Sequence, residues 1–148
     1  MSQKTYVTAL WVSTIAILAT SAFQALSGHW VSFFLFWPGF QSLDRYLGFL
    51  NTLASMHRAI GFATAGLSLV VLLFAVLSKP GMAVRLFAIL GLAMVALAAI
   101  GGYLYVTSVF KDRWSLGQMA DAFVGVFGAY FLQVLFMARR YMSRASGG

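Results

Sequence analysis

Residues 59–77 read AIGFATAGLSLVVLLFAVL, 19 positions without a charge. A transmembrane helix needs about 20 mainly apolar residues to cross about 30 Å of hydrocarbon. The stretch does not alternate with period two, so it predicts a spanning helix and not a barrel strand. Working outward from it, residues 49–58 extend the same apolar run towards the N-terminus. Three more stretches of comparable length occur, at about 6–26, 84–107 and 116–137. The expected fold is therefore an all-α integral membrane protein. It is one domain over 1–148, a four-helix transmembrane bundle with up-down-up-down topology.

Composition agrees. Hydrophobic residues make up 61% and charged residues 9%, with a mean hydropathy of +0.88. Soluble domains are about 45–50% apolar and about 25% charged. A soluble globular protein, a disordered chain and a disulfide scaffold are excluded. There is no Cys, hence no thiolate metal site and no thiol catalysis. The net charge of +7 does not point to nucleic acid, because the cations cluster at the ends of the apolar stretches. Lys4 followed by an apolar run and Ser21-Ala22 mimics a signal peptide, but reads as an uncleaved first span.

The connections differ in kind. Ser78-Lys79-Pro80-Gly81 is a tight turn with two breakers. Lys111-Asp112-Arg113-Trp114-Ser115 is a short polar loop. Residues 27–48 form a longer connection crowded by Trp30, Phe33, Phe34, Phe36, Trp37 and Phe40, an aromatic outer loop suited to the membrane interface. With the N-terminus inside, Lys4, Lys79, Arg85, Arg139, Arg140 and Arg144 fall on the inner side. Arg45, Lys111, Arg113 and Arg58 fall on the outer side. The bias of basic residues predicts both termini in the cytoplasm.

Ionisable residues in spans are costly and are the first functional candidates. His57, Arg58 and Asp121 qualify, and the predicted topology puts all three near one level, roughly 8–12 Å from the outer surface. Gln118 and Met119 share that level. An Arg58–Asp121 ion pair would account for both charges as structure alone. Residues 59–77 are long enough to span by themselves, which would leave His57 and Arg58 solvated among head groups. Imidazole is also the usual axial ligand of haem iron, and a neighbouring Arg suits a propionate. On that reading His57 is the metal ligand, Gly61 leaves room for a flat macrocycle, and Met119 or His29 is the second ligand. Gly61, Gly66, Gly101, Gly102, Gly125 and Gly128 read as close-contact positions between helices. No phosphate loop, Ser-His-Asp set, paired carboxylates or zinc spacing occurs.

The order of these features resembles one four-helix half of the haem A synthase family, or its compact archaeal-type form. The residues that carry the resemblance are Trp37-Pro38-Gly39 in the outer loop and Met56-His57-Arg58-Ala59-Ile60-Gly61 at the opening of span two. A tight basic turn and a third span ending in Gly102-Tyr103 follow. The resemblance implies a prokaryotic cell membrane, a respiratory setting and an axial haem role for His57. The chain departs from the family in three places. Gln118 or Met119 stands where the partner His belongs, Ala54 stands where the catalytic half has an acid, and the loop cysteines are absent. A degenerate haem-associated relative fits these losses better than an active synthase. The alternative is a cofactor-free accessory subunit, packing through its helix faces in a larger respiratory oxidase or quinol-oxidising complex, or in a homo-oligomer. A transporter built on Asp121 lacks any further carboxylate along the membrane.

Overall fold

The computed structural model describes residues 2–35, 43–108 and 113–145. They form four helices: α1 (Gln3–Leu35), α2 (Leu43–Leu77), α3 (Met82–Thr107) and α4 (Arg113–Ala145). No strand occurs among the described residues. All four helices are long and apolar enough to cross a membrane. At 1.5 Å per residue, the 33 residues of α1 reach about 50 Å, well beyond the hydrocarbon thickness.

The helices are longer than the apolar stretches, and this corrects the expected boundaries. α1 runs on to Leu35 and α2 begins at Leu43, so most of the expected 27–48 loop is helix. Trp30 lies on α1 and is exposed, while Trp37, Pro38 and Gly39 lie outside the described residues. α4 takes in Trp114 and Ser115 at its start and Arg139 and Arg140 near its end. The physical reason is simple. Loss of apolarity does not stop a helix; a missing N–H or a left-handed residue does. Between α1 and α2 the sequence supplies such breakers only at Pro38-Gly39.

The expected turn at Ser78–Gly81 is present. Lys79 adopts φ 48° and Gly81 φ 116°, so the chain reverses through two left-handed residues, one of them a lysine. Gln3 donates to the Ser78 carbonyl, which ties the start of α1 to the end of α2. Arg140 donates to the Pro80 carbonyl, which ties the end of α4 to the same turn.

Each helix buries one seam. Leu10, Thr14, Ile17 and Ser21 do so on α1, and Thr64, Ser68, Val71 and Ala75 on α2, with Ser78 just past its end. Val84, Ala88, Gly91 and Val95 follow on α3, and Ala122, Val126, Ala129, Gln133 and Met137 on α4. The steps are fours and threes, in strict alternation on α1, α2 and α3, the repeat of a coiled-coil-like bundle seam. α1 packs on α2 and α4, and α3 packs on α2 and α4. The diagonal pairs α1/α3 and α2/α4 do not approach within the described residues.

Polarity is distributed inside-out. Ser13, Thr14, Ser21, Thr64, Ser68, Ser78, Ser115 and Gln133 are buried, while Phe23, Phe62, Leu73, Val76, Ile89 and Val124 are exposed. In water this arrangement would expose a large apolar surface. In lipid, small and polar residues belong at helix contacts. Gln133 Nε2 donates to Thr14 Oγ1 at 3.1 Å, and Thr14 donates to the Leu10 carbonyl at 2.7 Å, so α4 is hydrogen-bonded to α1 through the core. On α3, Gly91 makes room for the Tyr130 ring: a Cβ there would lie 2.5 Å from a ring carbon. Phe87 and Phe136 meet with centroids 5.4 Å apart across the same helix pair.

Candidate functional site

Among the residues singled out from sequence, His57 is the one engaged in an interhelical network. It is half-buried on α2 and faces α1. Gln24 Nε2 lies 3.1 Å from His57 Nε2, and Ser27 Oγ lies 3.0 Å from His57 Nδ1. Ser27 Oγ also donates to the Gln24 carbonyl at 3.0 Å. The donor inventory then fixes the roles. An amide nitrogen only donates, so His57 Nε2 accepts from Gln24. With Nε2 accepting from the amide, the ring proton falls on Nδ1, which donates to Ser27 Oγ. The Ser27 hydrogen goes to the carbonyl one turn back. Each of these three hydrogen bonds then has one donor and one acceptor.

Two glycines make the network fit. A Cβ on Gly28 would lie 2.9 Å from His57 Cε1, and a Cβ on Gly61 would lie 3.2 Å from Gln24 Nε2. Gln24 and Gly28 are four apart on α1, and His57 and Gly61 are four apart on α2. Each helix offers one polar side chain and one gap, and each fills the gap of the other. The space that Gly61 leaves is therefore taken by Gln24 and is not open to a macrocycle.

The other candidates are dispersed. Arg58 is exposed and donates to Ser55 Oγ at 3.3 Å on its own helix. Asp121 is exposed on α4. The expected Arg58–Asp121 pair does not form, because α2 and α4 are diagonal in the bundle. Met119 is half-buried in the α3–α4 contact, with its sulfur 3.4 Å from where a Gly102 Cβ would stand. It belongs to the far side of the bundle from the α1 surface that holds His57. His29 is exposed on α1, two residues past Ser27 and so turned away from His57. Among the described residues no group of three His, Asp or Glu could hold a metal ion.

Haem does not fit His57 as it is held. Axial ligation requires a free ring nitrogen, and both nitrogens of His57 are engaged by side chains of α1. Freeing Nε2 would leave the Gln24 amide without an acceptor, next to a Gln24 Oε1 that is already buried without a partner. Neither Met119 nor His29 reaches the ring.

Gln24 and Ser27 are the residues that sequence reasoning missed. The signal was there: a Gln inside an apolar span, with Ser27 and Gly28 at i+3 and i+4, opposite a span that carries His and Gly at i and i+4. No protein-family model, curated protein or solved structure matches the chain.

Proposed function

We propose that the chain is a multi-pass protein of a prokaryotic cell membrane, its four spans running up-down-up-down with both termini cytoplasmic. It acts as a cofactor-free accessory subunit of a larger membrane complex, through helix packing and not through cofactor chemistry. The observation that carries this reading is the closed Gln24–His57–Ser27 network, which commits both imidazole nitrogens to holding α1 against α2. Support for the membrane comes from the inside-out polarity and from four helices of spanning length. Support for the cytoplasmic termini comes from the gathering of Lys4, Lys79, Arg85, Arg139 and Arg140 at one end. The respiratory setting rests on the Trp37-Pro38 and His57-Arg58-x-x-Gly61 resemblance alone.

Topology and partnership are tested separately. The chain has no Cys, so single cysteines report cleanly. A membrane-impermeant maleimide added from outside should label Asp44→Cys, exposed at the start of α2, and spare Ser2→Cys and Ser143→Cys. Labelling of Ser2→Cys would overturn the orientation. Extracted from its own membranes in mild detergent, the tagged chain should migrate with respiratory subunits. Migration as a bare 16.1 kDa bundle would overturn the accessory role.

A further inference from the structure

We infer that the end of the bundle carrying the α2–α3 turn binds the head group of an anionic phospholipid, in a cleft between that turn and the outward face of α3. The cleft has a volume of about 410 Å³ and is lined by Lys79, Gly81, Met82, Arg85, Leu86 and Ile89. Its chemistry is divided. Lys79 and Arg85 supply two cations at the turn, and Leu86 and Ile89 supply an aliphatic wall that continues along α3 away from it. Ile89 lies four residues, about 6 Å, further into the apolar part of the helix than Arg85. A cationic mouth above an exposed aliphatic wall matches an anionic head with an acyl chain attached. A free inorganic anion would use only the mouth.

Charge balance argues that the anion comes from outside the chain. The whole sequence holds three acidic residues, Asp44, Asp112 and Asp121. Asp44 opens α2, and the remaining length of that helix, about 50 Å, separates it from the turn. Asp112 precedes α4, and Asp121 sits eight residues into it, while Arg140, near the end of the same helix, reaches Pro80. Lys4, Lys79, Arg85, Arg139 and Arg140 therefore share one end, with no acid of the described residues among them. Arg85 carries the clearest unmet demand. It is half-buried, and its Nε is enclosed with no hydrogen-bond partner. A phosphodiester in the cleft would offer the guanidinium a charge-assisted contact. Lys79 is held at the mouth by the left-handed turn.

The inference rests on the membrane reading, which resistance of the chain to alkaline extraction from phosphatidylcholine vesicles tests on its own. The cleft is tested with the full-length protein in mixed micelles. The micelles contain phosphatidylglycerol and phosphatidylcholine of matched chains, and the lipid retained per bundle is read by native mass spectrometry. Phosphatidylglycerol should be retained about fivefold or more over phosphatidylcholine, and Arg85→Gln should lower that preference by about fivefold, the effect of one cation at a membrane surface. Lys79→Gln, at an exposed position that cannot disturb the core, should lower it in the same direction. Arg139→Gln, exposed and outside the cleft, should change it less than about twofold. Three results would overturn the inference. These are equal retention of the two lipids, equal losses in Arg85→Gln and Arg139→Gln, and full displacement of the lipid by millimolar inorganic phosphate.

Discussion

Gln24 and His57 clasp α1 to α2 reciprocally: their Nε2 atoms lie 3.1 Å apart, with His57 seated over Gly28 and Gln24 seated over Gly61. The hydrogen bond gives direction to a contact that hydrophobicity cannot specify, because lipid tails are as apolar as the helix surfaces. It also fixes the register of α1 on α2, since a shift of one turn would part His57 from Gly28 and Gln24 from Gly61.

The first expectation follows from that mutual dependence. A double-mutant cycle of Gln24→Leu and His57→Leu, read by unfolding in detergent, should show a coupling of about 0.5–2 kcal/mol. The effect lies in the partner left behind, because a buried amide or imidazole without its hydrogen bond costs about 1–3 kcal/mol. Strict additivity of the two variants would remove the clasp from the account.

The glycines should separate by what faces them. A methyl on Gly28 would stand 2.9 Å from His57 Cε1, inside the optimal carbon–carbon separation of about 3.5–4.0 Å. Gly28→Ala should lower the melting temperature of the detergent-solubilised bundle. Gly66 meets nothing within 4 Å, so Gly66→Ala should be neutral or stabilising by up to about 1 kcal/mol through helix propensity. Gly91→Ala, against the Tyr130 ring, should be the most damaging of the three. Equal melting temperatures for all three variants would contradict the packing described here.

Arg58 and Asp121 give a negative expectation. They stand on diagonal helices, and Arg58 bonds within its own helix. Arg58→Gln and Asp121→Asn should therefore combine additively, within about 0.5 kcal/mol. A larger coupling in the monomeric bundle would restore the ion pair expected from sequence.

The α2–α3 turn offers a pair of opposite signs. Lys79 is held at φ 48°, a region that costs an L-residue roughly 1–2 kcal/mol. Lys79→Gly should stabilise the bundle, and Gly81→Ala, at φ 116°, should destabilise it by at least about 1 kcal/mol. Thermal unfolding of the two variants beside the parent checks both signs. The same sign for both would contradict the turn geometry.

These residues also mark what the sequence could and could not convey. The number and type of helices were legible because spanning stretches leave a strong apolar signature. The Ser78–Gly81 turn was legible because Pro and Gly act locally. Helix ends were not legible from apolarity, because α1, α2 and α4 continue past their apolar stretches. The interior seam was hidden as well. With apolar residues on every face, no stripe distinguishes core from surface, and the seam appears only as the four-three spacing of small and polar residues such as Thr14, Ser21, Thr64 and Ser68. His57 was identifiable as a residue under constraint. Its partners were not, because sharing a level in the membrane does not say which helices are neighbours. Level alone grouped His57 with Arg58, Asp121 and Met119, whereas adjacency of α1 and α2 selected Gln24 and Ser27.

On the reading proposed above, His57 is a structural clasp and not an iron ligand. Its most direct test is the absorption spectrum of the purified protein after addition of haem, first oxidised and then reduced with dithionite. No Soret band beyond that of free haem is expected, and the same spectrum for His57→Ala. A shifted Soret band with sharp reduced α and β bands, lost in His57→Ala while the bundle still folds, would contradict it.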